Sequence, residues 1–204
     1  MKTVFMFSGQ GAQYAGMGKN LYKNYPVAKE IFDRADNVLG YSIKDICFED
    51  EQKLGETEFA QPAILTMSIA AMKVLEEEGV RADMTAGLSL GEYSAYVASE
   101  AMDFEEAVAL VQKRGKFMAE AVPSGEGAMY AIIGLDTALV EEACAEATAE
   151  GDGLAVPANY NAPGQIVIAG HAQAAKKAAA LAKEKGAKLT VPLKVSGPFH
   201  TELL

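Results

Sequence analysis

Gly87-Leu88-Ser89-Leu90-Gly91 closes a short strand candidate at 82–88 and opens a helical pattern at 90–100. GxSxG between a strand and a helix restricts the fold more than any other segment of the chain. Glycines two before and two after the serine let the backbone double back tightly and leave the hydroxyl exposed at the bend. The N–H groups that open the following helix point at the same spot and favour a developing negative charge. A plain small-residue helix start, with Ser89 as an ordinary cap, fits the same five residues.

The surrounding pattern is α/β. Residues 3–8 (TVFMFS) read as a buried strand that stops at Gly9, and a glycine-rich loop at 9–18 leads into a helix. Helical periodicity follows at 25–38, 42–48, 62–78 and 104–122, with Pro62 expected in the first turn of its helix. The order changes near Pro123. Strands are expected at 128–134, 154–160, 165–170 and 188–193, with helices at 136–150 and 172–186. That β-α-β-β-α-β order is ferredoxin-like. The chain therefore reads as an α/β domain (1–124 and 194–204) carrying a small α+β domain (125–193). The last helix, from about Thr201, has no body, so a C-terminally truncated chain is expected.

Composition narrows the function. With 204 residues, 50% of them apolar, the chain has material for a sizeable core, and disorder throughout is excluded. A formal net charge of −10 makes it a poor general binder of nucleic acid or anionic membrane. Cys47, Cys144, His171 and His200 lack the spacing of a zinc site, and two inert thiols are expected. The apolar run Val4 to Phe7 is too short for a signal peptide, and no stretch approaches a membrane span, so a cytoplasmic protein is expected.

A serine nucleophile needs a base. His171 reads as a surface turn residue. His200, in Gly197-Pro198-Phe199-His200-Thr201, lies where the chain returns from the inserted domain and can reach back over the sheet. Arg114 falls on the apolar helix face of Ala107, Leu110, Val111 and Met118, at about 100° per residue. A guanidinium there needs an anionic partner, which is either an internal acid or a substrate carboxylate held by its planar fork. Gly115 weakens the same helix, which close approach of a backbone or ligand would explain. Gly9-Gln10-Gly11 invites a dinucleotide reading, but Tyr14 replaces the third glycine of GxGxxG. A backbone N–H of this loop is a candidate oxyanion donor instead.

Taken together, FSGQGAQ (7–13), QPA (61–63), GLSLGE (87–92), QKRG (112–115), NYNAPGQIVIAG (159–170) and GPFHT (197–201) resemble the malonyl-CoA:acyl carrier protein transacylases, in the family's order. The resemblance implies an α/β-hydrolase-like core with an inserted ferredoxin-like domain. It implies Ser89 as acylated nucleophile, His200 as general base, and the N–H groups of Gln10 and Leu90 as oxyanion hole. Arg114 would hold the malonyl carboxylate, Gln61 would line the acyl pocket, Asn159 would lie near the cleft, and Phe199 matches malonyl-selecting members. Leu88 stands where many members have His.

The implied activity is ping-pong malonyl transfer from malonyl-CoA to the phosphopantetheine thiol of acyl carrier protein in fatty-acid synthesis. Neither a metal nor a redox cofactor is expected, and a monomer is. Lys176, Lys177, Lys183, Lys185 and Lys188 are candidates for docking an acidic carrier protein. Two rivals are a serine esterase or thioesterase of the α/β-hydrolase type and a non-catalytic carrier-protein-binding fragment.

Overall fold

A computed structural model describes residues 2–123, 125–193, 195 and 197–204, in a mixed α/β fold. They form two compact units, Met1–Lys116 and Phe117–Leu204. The expected domain boundaries at Ser124 and Lys194 lie outside the described residues.

In the first unit, strands β1 (Val4–Phe7) and β2 (Met84–Gly87) pair in parallel, Val4 opposite Met84 and Phe7 opposite Gly87. Asp83 pins this register: its carboxylate accepts the Thr3 N–H at 2.7 Å, and its own N–H reaches the Thr3 carbonyl at 2.8 Å. Helices α1 (Lys19–Asn24), α2 (Pro26–Leu39), α3 (Ile43–Glu49) and α4 (Glu51–Leu54) lie between the strands in sequence, followed by α5 (Thr57–Glu77). Proline opens α2 and Gly40, at φ 74°, closes it. The four-residue α4 is too short to show a period and was not expected.

Helix α5 begins at Thr57, five residues before its expected start, and contains Pro62 in its interior. Proline removes one donor, but burial on nearly all sides outweighs that loss. Ala63, Ile64, Leu65, Ile69 and Ala70 are all buried. They join Phe32 of α2, Ile43 of α3 and Leu90 in one core. Helix α6 (Gly91–Ala98) and the part of α7 (Phe104–Ala121) up to Lys116 complete the unit's elements. On α7 the buried stripe is Phe104, Ala107, Val108, Val111 and Gly115. Leu110, expected on that stripe, is 42% exposed, because the stripe is rotated toward Val108.

The second unit runs β3 (Gly127–Ile133), α8 (Thr137–Ala149), β4 (Ala155–Ala162), β5 (Gln165–His171), α9 (Ala172–Glu184) and β6 (Leu189–Pro192). Its strands are ordered β4-β5-β3-β6 and all neighbours are antiparallel. One face meets the alanine-rich sides of α8 and α9, where Ala143, Ala147, Ala174, Ala178 and Ala182 pack with Ile132, Ile166 and Ile168. Met129, Val167, Ala169 and Phe199 form a separate cluster. His171 is not a surface turn residue. It ends β5, and its Nδ1 accepts the Leu154 N–H at 2.9 Å, a structural bond.

Both cysteines are buried, and burial pushes each thiol up to about 12. Among the described residues no helix is long and apolar enough to cross a membrane.

Candidate active site

The strand β2 ends at Gly87, and Ser89 takes a left-handed conformation, φ 52°, before α6 begins. For a residue with a side chain this costs about 1–3 kcal/mol and persists only where surrounding packing imposes it. The packing is visible in the flanking glycines. A Cβ at Gly87 would stand 2.1 Å from the Gly91 carbonyl, and one at Gly91 would stand 2.2 Å from the Phe7 oxygen. The helix start thus lies directly against β1 and β2, and no side chain fits at either position. Bonds from Gly91 N–H to Leu88 O (2.8 Å) and from Glu92 N–H to Ser89 O (3.1 Å) tighten the turn. Ser89 is therefore presented at a strained bend and is not an ordinary helix cap. Leu90 is fully buried in the core, which roots the backbone that carries its N–H.

The loop after β1 lies against this bend, since a Cβ at Gly9 would come within 2.8 Å of the Leu88 oxygen. Two glutamines brace it. The Gln10 side chain donates to Thr57 Oγ1 at 3.1 Å. Gln13 accepts the Gly11 N–H at 2.7 Å and donates to the Leu54 carbonyl at 3.4 Å. Among the described residues no backbone carbonyl accepts the N–H of Gln10 or of Leu90. Thr57 and Gln13 were missed by sequence reasoning. Only the distance along the chain between loop and helix hides them.

Arg114 meets neither an internal acid nor a lone apolar face. Its Nη1 donates to Gln61 Oε1 at 2.7 Å and its Nη2 to Ser89 Oγ at 3.2 Å. The guanidinium carbon stands 5.6 Å from the centre of the Tyr93 ring. Among the described residues no ion pair involves Arg114. Guanidinium has five donors, so hydrogens remain for a further acceptor. Gln61 is completely buried, on the turn of α5 that precedes Pro62. Gly115 answers to a backbone: a Cβ there would stand 2.6 Å from the Thr57 oxygen and 2.9 Å from Glu58 Cα.

Three expected residues belong to the second unit. His200 is exposed and has φ 62°. Among the described residues only Ser89, Glu100 and His200 combine a side chain with positive φ, and two of these are the expected nucleophile and base. The turn holding His200 is anchored by Pro198, packed against Gly127, and by the Thr201 hydroxyl, which donates to the Pro198 carbonyl at 2.8 Å. Phe199 is buried in the cluster of Met129, Val167 and Ala169. Asn159 is half-buried in β4, opposite Val167 and beside a register shift.

The lysines expected to dock a carrier protein are largely engaged within their own unit. Lys177 pairs with Glu150, and Lys185 with Glu142 and Glu146. Lys183 donates to the carbonyls of Ala187 and Lys188. Among the described residues no group of three or more His, Cys, Asp and Glu could hold a metal ion.

The acyl transferase domain family matches residues 4–200. The chain is 52% identical over 204 residues to the malonyl CoA-acyl carrier protein transacylase of Bacillus subtilis, covering 100% of this chain and 64% of that one. A crystal structure of MCAT from Streptococcus pneumoniae is 54% identical with a TM-score of 0.92, covering 99% of this chain and 66% of that one. A malonyl-transacylase solved with its type II PKS acyl-carrier protein is 42% identical with a TM-score of 0.95, covering 100% and 66%. The chain thus spans 64% of the first relative's length and 66% of each of the others.

Proposed function

Because this chain belongs to the acyl transferase domain family, we propose that it serves malonyl transfer from malonyl-CoA to the phosphopantetheine thiol of acyl carrier protein, in fatty-acid synthesis. One observation carries the reading. A guanidinium with donors to spare is hydrogen-bonded to the hydroxyl of a serine held at a strained bend. That pairing suits an acyl group with a free carboxylate at one end and a reactive thioester at the other.

Ser89 Oγ attacks the thioester carbonyl carbon while His200 takes its proton. The carbonyl oxygen becomes an oxyanion, held by the N–H groups of Gln10 and Leu90. The C–S bond breaks, coenzyme A leaves as thiol with the proton from His200, and malonyl remains on Ser89. The carrier thiol then attacks the acyl-serine and the same steps run in reverse. Arg114 binds the malonyl carboxylate throughout, and Gln61 fixes the guanidinium. In this reading Gln61 also lines the acyl pocket, and Asn159 and Phe199 take part in substrate binding. Because one thioester replaces another, the site must exclude water rather than drive the reaction. The chemistry calls for no metal or redox cofactor.

The finer architecture in this reading is an α/β-hydrolase-like core (1–124 and 194–204) with a ferredoxin-like domain (125–193). The β4-β5-β3-β6 order of an antiparallel βαββαβ unit supports the second part. The carrier-bound relative supports acyl carrier protein as partner. A cytoplasmic monomer completes the reading.

The test is intact mass after mixing with malonyl-CoA. A shift of one malonyl group on the chain, absent in Ser89→Ala, is expected. Persistence of the adduct in Ser89→Ala overturns the assignment, and no adduct on the unsubstituted chain favours a non-catalytic carrier-binding role.

A further inference from the structure

Arg114 has a third support that the transfer chemistry does not require. Tyr93 lies on the first turn of α6, and its ring faces the guanidinium that bonds Ser89 Oγ. Its N–H is bonded to the Leu90 carbonyl at 3.1 Å, and the Tyr96 ring meets it edge-on at 6.4 Å and 88°. The half-buried Tyr93 ring also packs against the first unit's core. The Arg114 guanidinium carbon stands 5.6 Å from the ring's centre.

An aromatic face attracts a cation without accepting its hydrogens in the plane. A carboxylate in its place would neutralise Arg114 and compete with the substrate's own carboxylate. An aliphatic side chain would exert no orienting pull on the guanidinium. The ring does neither of these things. It balances part of the charge from the face and leaves the remaining in-plane donors for a ligand.

We propose that Tyr93 is a positioning residue for acyl selectivity: its ring holds the Arg114 guanidinium between Gln61 and Ser89, so that acyl groups bearing a carboxylate are favoured over those without one. The role rests on the reading of Arg114 as the carboxylate-binding group. It acts through the ring face and not through the phenol, so phenylalanine is a sufficient substitute.

The experiment compares the chain with Tyr93→Phe, Tyr93→Leu and Tyr93→Met. Single-turnover acylation of Ser89 is followed by intact mass with limiting malonyl-CoA or acetyl-CoA, and the Arg114 Nε–H resonance is recorded by NMR. Tyr93→Phe keeps the malonyl rate within about twofold and keeps the ring-current shift of Nε–H. Tyr93→Leu and Tyr93→Met lose that shift and lower the malonyl rate about three- to tenfold, the range for a partly desolvated cation–π contact, with the acetyl rate unchanged. Equal losses on both donors, or an unchanged ratio in both apolar variants, overturn the role while leaving malonyl transfer intact. A chain that takes no acyl group from either donor overturns the proposed transfer and this role with it.

Discussion

Gly115→Ala is a sharp test of how the site is braced. The new methyl would stand 2.6 Å from the Thr57 oxygen, 2.9 Å from Glu58 Cα and 3.1 Å from the Thr57 carbonyl carbon. Ordinary contact needs roughly 3.4 Å or more, so the first turn of α5 must retreat by about 0.8 Å. These are backbone atoms, which cannot rotate away. Overpacking of this kind costs about 1–3 kcal/mol, against a gain of about 1 kcal/mol from replacing glycine in a helix. The net is a loss of about 1 kcal/mol, or about 2–4 °C in Tm for a chain of this size. Function suffers more, because Thr57 Oγ1 receives the Gln10 side chain at 3.1 Å and Gln61 lies one turn further along α5. Sub-ångström displacement of groups that position a reacting carbonyl lowers rates by up to about 10²-fold. Thermal unfolding by circular dichroism and the rate of Ser89 malonylation read the two effects separately. A Tm raised by 2–4 °C, the bare helix-propensity gain of about 1 kcal/mol, would refute the close approach of α7 to α5.

Arg114→Ala removes a charge-assisted contact worth about 1.5–3 kcal/mol, so malonylation of Ser89 at limiting donor is expected to fall about ten- to hundredfold while acetylation falls far less. Equal falls would make Arg114 structural. A further prediction concerns acid stability. The Arg34 fork donates to Glu105 at 2.7 and 3.0 Å and holds its carboxyl below the usual range. With the two side chains 39% and 45% exposed, solvent screening keeps the contribution under about 1 kcal/mol. A lowered folded-state pKa stabilises above the unfolded value of about 4.3 and ceases to do so as pH falls through the folded value. Urea unfolding should therefore show Glu105→Gln less stable at pH 7 and level with the unsubstituted chain well below pH 4. A constant difference across that range would contradict the linkage.

Local rules make much of this protein legible in its sequence alone. Alternation of strand and helix signals located β1, β2 and the βαββαβ run, because period, turn glycines and caps are properties of neighbouring residues. The GLSLG bend was readable for the same reason: a strand, a serine between two glycines and a helix are contiguous, and their steric demands are local. Two of the residues singled out, Ser89 and His200, proved to have the left-handed backbone that such bends require.

What escaped was whatever depends on groups far apart in the chain. The start of α5 at Thr57 follows from burial on most of its surface, which outweighs the proline that suggested a later beginning. The partners of Arg114 come from α5, the bend and α6, and no spacing along α7 announces Gln61, Ser89 or Tyr93. The glutamine braces of the loop after β1 and the reason for Gly115 are likewise contacts between segments more than forty residues apart in sequence. Short-range sterics select the bends and the elements, but the direction in which a charge or a donor is finally aimed is set by packing, and packing joins residues that the chain keeps apart.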